Sequence, residues 1–286
     1  MGAETPALRL LFIGDVVGRP GRLVLARLLA EYRRQAALDF ILANAENAAG
    51  GSGLTPALAQ ELFATGIDCL TMGDHVFRRR EILPLLETDE RVLRPANYVA
   101  RAAGKGYSLL RSAQGVPVGV INLQGRMFMP PSDSPFEAAE RALAALAGLT
   151  RIIIVDFHAE ATSEKIAMGR YLDGRVTAVI GTHTHVMTAD ETILPGGTAY
   201  LTDVGMTGPH DSILGRRTDR VLEAFLTQMP TRFEVATGDL RMNAVLIEAD
   251  PATGRAQSVQ RITLRLEEPL EEPGSAEASQ EVMEAP

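Results

Sequence analysis

The chain is predicted to be a mixed α/β protein of stacked sheets flanked by helices, and three observations carry that expectation. Short apolar runs alternate with helical patterns from the start and again after residue 150, the order expected of βα units. Hairpin-like strand pairs interrupt and follow these units. No repeat with a period of about 20–50 residues and no long linker divides the chain. One domain over residues 1–266 is therefore expected, followed by an acidic Pro- and Glu-rich tail over 267–286.

The elements follow in order. LRLLFIG (8–14) reads as a buried strand, with a helix over 20–37 behind its proline. DFILANA (39–45) is the second strand, then a Gly-rich turn and a helix from Pro56. IDCLTMG (67–73) is the third strand, with RRREILPLLE as its helix. Strand-like segments at 107–110 and 116–123 precede RIIIVDFH (151–158) and VTAVIGTH (176–183), which are separated by a helix over 164–171. Segments 192–194 and 199–202 are split by the turn Pro195-Gly196-Gly197. A helix over 218–227 and two late strands, 240–249 and 257–266, complete the expected order.

Composition excludes several classes. The single cysteine, Cys69, rules out an intramolecular disulfide framework and thiolate metal clusters. Residues 1–6 lack a basic flank, so no signal peptide is expected, and no apolar run approaches the roughly 18–20 residues of a membrane helix. A cytoplasmic protein is the expectation. The net charge of -8 argues against stable nucleic-acid binding. Seven glutamates between 267 and 284 supply most of it, so the tail has the bias of a disordered or loosely docked segment without a catalytic role.

Four of the five histidines end apolar runs: His75 in LTMGDH, His158 in RIIIVDFH, and His183 and His185 in IGTHTH. The fifth, His210, falls in GPHD, read as a loop. Three acids end runs in the same way: Asp15 (LLFIGD), Glu46 (ILANAEN) and Asp74 (CLTMGD). In open α/β sheets such strand ends line the ligand crevice. Taken singly, each has an ordinary explanation, as a satisfied rim histidine or as a turn or cap aspartate. Taken together, converging carboxylates need a compensating cation. Imidazole nitrogen with carboxylate oxygen suits Zn, Mn or Fe better than Ca or Mg. Residues i and i+2 of a strand project to one side, so a slight bend lets His183 and His185 address two adjacent ions.

Other motifs carry less. NAAGGSG lacks the Gly-Lys-Ser/Thr of a P-loop, and its glycines are expected to turn the backbone beside Glu46 and Asn47. TSEK (162–165) reads as a helix start with a Thr or Ser cap before a serine–lysine dyad. Arg19, Arg78 and Arg126 either meet phosphate or are solvated surface residues. His210 either lines the substrate entrance or is a loop histidine.

Over residues 8–216 the segments LFIGDVVGRPGR, ILANAENAAGGSGLT, LTMGDHVFRRREI, RPANY, VDFHAEATSEK and IGTHTHVMTADE stand in an order and spacing with one match. In them the chain resembles the calcineurin-like metallophosphoesterases, specifically their YmdB-like bacterial branch; GTHTH alone is a weak signal. The resemblance implies a four-layer α/β/β/α sandwich of the metallophosphoesterase type with a dinuclear metal centre. Carried over by position, Asp15, Glu46, Asn47 and His185 would hold one ion. Glu46, Asp74, His158 and His183 would hold the second, with Glu46 bridging the two. His75 would be the general acid that protonates the leaving alkoxide. The implied activity is that of a phosphodiesterase acting on cyclic nucleotides, 2',3'-cyclic foremost and 3',5'-cyclic second, by attack of a metal-bound hydroxide on phosphorus. The implied cofactors are two divalent ions, iron or manganese ahead of zinc. The implied partner is a small-molecule phosphodiester, with no membrane and no stable nucleic acid, and composition is compatible with a homo-oligomer.

The chain departs from the wider superfamily in three places. The usual Asp-x-His start is Asp15-Val16-Val17 here, a loss that the YmdB-like branch shares, with Asn47 as the substitute ligand. Glu46 stands where the wider family has a bridging Asp. Asp74 occupies a place where Asn is usual, which adds a negative charge. Two rival readings are a metal-containing nucleotide-binding regulatory protein with little turnover and a dimetal hydrolase acting at carbon. An intact His75 with a full ligand set weighs against the first. The late His-x-His pair and the lack of a strand-end lysine weigh against the second.

Overall fold

Runs rich in Val, Ile and Leu, apolar on successive residues, can be buried on both faces only as interior strands of a covered sheet. The computed structural model describes residues 6–267, and the expected tail lies outside them apart from Glu267. In chain order the elements are β1 (Leu8–Ile13), β2 (Asp15–Val16), α1 (Gly18–Gln35), β3 (Phe40–Asn44), α2 (Pro56–Ala64), β4 (Cys69–Thr71), a 3-10 turn (Arg80–Ile82), α3 (Leu83–Thr88) and β5 (Val92–Leu93). Then come β6 (Tyr107–Arg111), β7 (Pro117–Gln124), α4 (Pro135–Leu146), β8 (Ile152–His158), α5 (Thr162–Leu172), β9 (Ala178–Thr182), β10 (Thr192–Ile193) and β11 (Ala199–Leu201). Last are β12 (Met206–Asp211), α6 (Thr218–Thr227), β13 (Gly238–Ala249) and β14 (Ala256–Arg265).

In the first sheet β1, β3, β4 and β5 run parallel, and β13 joins β1 antiparallel with β14 on its other edge. The start of β13 also pairs with β12, which carries β2. The second sheet has the order β10-β11-β9-β8-β7-β6, with β7, β8, β9 and β11 parallel. Leu8, Phe12, Phe40 and Val245 of the first sheet meet Val118, Ile154, Ile180 and Leu201 of the second in a shared core. Leu25, Leu62 and Leu86 of α1, α2 and α3 cover the outer face of the first sheet. Ala142 and Leu146 of α4, with Met168 and Leu172 of α5, cover that of the second. The result is the expected four-layer α/β/β/α sandwich.

Three local expectations differ. GPHD is not a loop: His210 lies in β12, which pairs with β13 and β2. Helix α4 goes unread in the sequence, although Ser134 accepts the Glu137 N–H as its cap and Pro135 stands at its start. Helix α5 starts at Thr162 without a side-chain cap, and Glu164 instead accepts the backbone N–H groups of Arg126 and Met127.

Phe12 is fully buried between the sheets. Phe12→Ala is expected to destabilise the fold by about 3–5 kcal/mol. The reading is a lowered urea midpoint at unchanged slope; an unmoved midpoint contradicts the shared core.

Candidate metal centre

Parallel pairing brings the carboxyl ends of β1, β3, β4, β8 and β9 toward one edge of the sandwich. Asp15 follows β1, Glu46 and Asn47 follow β3, and Asp74 and His75 follow β4. His158 ends β8, while His183 and His185 follow β9. Donor atoms of Glu46, Asp74, His158 and His183 all lie within 4.8 Å of one another. His158 Nε2 is 3.1 Å from Glu46 Oε1, 3.3 Å from Asp74 Oδ1 and 3.0 Å from His183 Nδ1. Gly73 makes this approach feasible, because a Cβ there would run into the His158 ring and the Glu46 carboxylate.

A second group adjoins the first. His185 Nε2 stands 3.3 Å from Asn47 Oδ1 and 3.8 Å from Asp15 Oδ1. The Asn47 amide nitrogen donates to the Gly51 carbonyl at 3.1 Å, which turns its oxygen toward His185. Gly50, Gly51 and Gly53 all have positive φ, so this turn is the one the glycines were expected to make. Asp15 Oδ2 accepts the His183 N–H at 3.2 Å, whereas Oδ1 is buried with no hydrogen-bond partner among the described residues. An orphaned buried carboxylate oxygen and an amide oxygen that both approach one imidazole nitrogen fit a cation. The donors present therefore fit two divalent ions of the kind that N and O ligands favour.

His158 has its other nitrogen committed. Thr182 Oγ1 donates to Asp156 Oδ1 at 2.7 Å and lies 2.9 Å from His158 Nδ1. A hydroxyl that gives its proton to Asp156 accepts from Nδ1, which leaves the Nε2 lone pair for a cation held beside the acids. Asp156 also accepts from Thr71 and Asn44. His75 sits at the rim, about a quarter exposed, with Nδ1 3.5 Å from Glu46 Oε1 and Nε2 3.7 Å from Asp74 Oδ2. Its backbone N–H donates to Glu46 Oε2 at 3.0 Å.

Of the expected site residues, the structure brings together Asp15, Glu46, Asn47, Asp74, His75, His158, His183 and His185. His210 bonds the Met206 carbonyl at 3.3 Å, and no described hydrogen bond or ion pair ties it to the cluster. His183 and His185 do not use strand geometry: β9 ends at Thr182 and both residues have left-handed backbone. Sequence reading passed over Asp156, Asp203 and Glu160, the last with a carboxylate 3.2 Å from His183 Nε2. Asp156 had a signal, an acid inside the otherwise apolar run RIIIVDFH, and AYLTD ends in Asp203 as the other runs end in acids.

Without cations the cluster holds protons instead. Burial disfavours the His158 cation, but Glu46, Asp74 and Asp15 outweigh it and raise its pKa well above the ordinary 6.5. Burial raises Asp15 strongly as well, against the pull of His158 and with the repulsion of Asp203, Glu46 and Asp156. Burial opposes ionisation of Glu46 and Asp74 too, yet their histidine neighbours hold both carboxyls below the usual range. Burial, with the His158 charge beside it, pushes His183 down to about 4.

A family model described as YmdB-like protein matches residues 11–262. A 2',3'-cyclic-nucleotide 2'-phosphodiesterase of Bacillus subtilis (strain 168) is 46% identical over 257 residues, covering 90% of this chain and 97% of that one. The crystal structure of a hypothetical protein from Thermus thermophilus is similar at a TM-score of 0.85 and 40% identity, covering 90% of this chain and 99% of that one. A phosphatase structure from Mycoplasma pneumoniae also gives a TM-score of 0.85, at 31% identity, covering 91% and 94%.

The pH dependence of the metal-free protein follows. His158 is raised above its ordinary 6.5, so its contribution to stability is complete below that value and is lost as pH climbs through the folded pKa. Asp15, also raised, acts in the same direction at lower pH, whereas the lowered Glu46 and Asp74 lose their contribution only as pH falls. Chelator-treated protein is expected to melt at lower temperature near pH ~9 than near pH ~6.5, and Mn(II) to remove the decline. A metal-free melting temperature that rises over that window contradicts this balance.

Proposed function

The chain belongs to the YmdB-like family, and on that premise we propose how it works and on what. It is a metal-dependent phosphodiesterase. The substrate is a cyclic nucleotide, 2',3'-cyclic first and 3',5'-cyclic second. The observation that carries this reading is the convergence of Glu46, Asp74, His158 and His183 within 4.8 Å beside the orphaned Asp15 oxygen. Asp15, Glu46, Asn47 and His185 would hold one ion, and Glu46, Asp74, His158 and His183 the other, with Glu46 shared. Bound there, two divalent cations, iron or manganese ahead of zinc, lower the pKa of a water and offset charge on the phosphoryl oxygens.

The protein's own groups do the rest. His75 is the ring at the rim, held by Glu46 at its backbone and facing two carboxylates, and it gives a proton to the departing oxygen. With a 2',3'-cyclic nucleotide, water supplies the new P–O bond and the bond to O2' breaks, as the name of the Bacillus relative specifies. His75 then protonates O2', leaving a 3'-phosphate. Asp74 in the usual Asn position adds negative charge beside His158 and His183, which favours tighter cation retention and a less electrophilic pair.

The compartment in this reading is the cytoplasm. No helix among the described residues is long and apolar enough to cross a membrane. Self-association belongs to the reading as well. Around α6, Phe225, Leu226 and Met229 are 75%, 81% and 66% exposed, an apolar face of the kind monomers rarely present. Its flanking charges balance, Arg217, Arg220 and Arg232 against Asp219, Glu223 and Glu234, which suits a second copy better than a strongly charged partner. Light scattering is expected to find an oligomer that Phe225→Glu dissociates; a wild-type monomer contradicts it.

Stripped protein reloaded with Mn(II) or Fe(II) is expected to hydrolyse adenosine 2',3'-cyclic phosphate, and Glu46→Gln to abolish turnover. His75→Ala is expected to lower kcat about a hundred- to ten-thousand-fold at unchanged metal content. Asp74→Asn is expected to release metal more readily and turn over faster. Full dimetal loading without turnover on either cyclic nucleotide would shift the reading to a nucleotide-binding regulatory protein.

A further inference from the structure

His183 and His185 have φ of 97° and 64°, a left-handed backbone that non-glycine residues hold only where their surroundings impose it, at about 1–3 kcal/mol each. Between them lies Thr184. Its N–H and its hydroxyl both donate to Asp203 Oδ2, at 3.1 Å and 2.8 Å. The other Asp203 oxygen accepts the Gly205 N–H at 2.8 Å. Asp203 is in turn met by Lys165 Nζ at 2.6 Å, with both side chains about 1% exposed. Lys165 comes from α5 and Asp203 follows β11, so the turn is gripped from behind by two elements that carry no donor of the metal cluster.

A buried ion pair is weak evidence of stability by itself, since desolvation cancels much of its attraction. This pair is connected to one particular turn, and that turn aims two imidazoles at two different sets of donors. We propose that Lys165 and Asp203 are positioning residues: their buried ion pair clamps Thr184 and thereby orients His183 and His185 toward separate ions. The inference rests on the two-ion reading. It assigns a use to the lysine of TSEK, and it separates this clamp from Thr182, whose hydroxyl meets Asp156 and, among the proposed ligands, His158, and so serves only one ion.

The test is Mn(II) titration into metal-free protein, resolving the two ions by calorimetry. Lys165→Met keeps the aliphatic stem and removes the charge. It is expected to weaken both ions by about ten- to a hundred-fold, while Thr182→Val weakens one and leaves the other unchanged. A folded Lys165→Met protein that binds both ions as the wild type does, or loses affinity for only one, overturns the proposal. If Lys165→Met does not fold, Thr184→Val decides, because it leaves the ion pair intact and removes the hydroxyl contact. Weaker binding at both ions supports the clamp, and unchanged binding overturns it. A wild type that binds fewer than two ions defeats the two-ion reading itself, which separates that failure from failure of the clamp.

Discussion

Negative charge buried at the carboxyl edge of the sandwich is the constraint around which this protein is organised. Asp15, Glu46, Asp156 and Asp203 are almost wholly excluded from solvent, and Asp74 is largely so. Carboxylates in that position need cations or protons. Lys165 answers Asp203, and hydrogen bonds from Thr71, Thr182 and Asn44 answer Asp156. Asp15 and Glu46 accept one backbone N–H each, from His183 and His75, and otherwise the cations that face Asp15, Glu46 and Asp74 are imidazoles, which is why the His158 pKa is pushed up in their midst. A proton on His158 and a metal cation answer the same negative charge, so the residues that perturb one another's pKa are also the ones that fit a metal pair.

The fold makes it possible to assemble this concentration of charge from distant segments. Each donor sits at or just after the end of a short, largely buried strand, so the apolar layers between and outside the sheets fix its backbone before any ion is considered. Parallel pairing then brings five strand ends to one edge. The first sheet contributes the carboxylates and Asn47, and the second contributes His158, His183 and His185, so the cluster spans the interface between the sheets. The apolar layer that joins the sheets is therefore also what holds the two ligand groups in register.

Much of this was legible because burial and chemistry coincide in the sequence. A polar residue that closes an apolar run is visible without a structure, and Asp15, Glu46, Asp74, His158, His183 and His185 all carry that mark. The layer order needed more than periodicity, and came from the resemblance of several motifs in one order. A slight bend at His183 and His185 was expected from the sequence, but its left-handed backbone was not legible, since nothing in Thr-His-Thr-His announces it; the proposed clamp that imposes it comes from residues 165 and 203. The strand containing His210 was hidden for a similar reason: Gly-Pro-His-Asp has turn chemistry, and only pairing with β13 and β2 makes it extended. Lys165 was seen but read locally, as part of a helix start, because its partner is 38 residues away.

The proposed metal centre would place two ions about a shared Glu46 at the seam between the sheets. Its most direct test is anomalous scattering from crystals of Mn(II)-loaded protein. The account predicts two peaks, one ligated by Asp15, Asn47 and His185 and the other by Asp74, His158 and His183, with the Glu46 carboxylate between them. A single peak, or a second one whose ligands lie away from these residues, would contradict it.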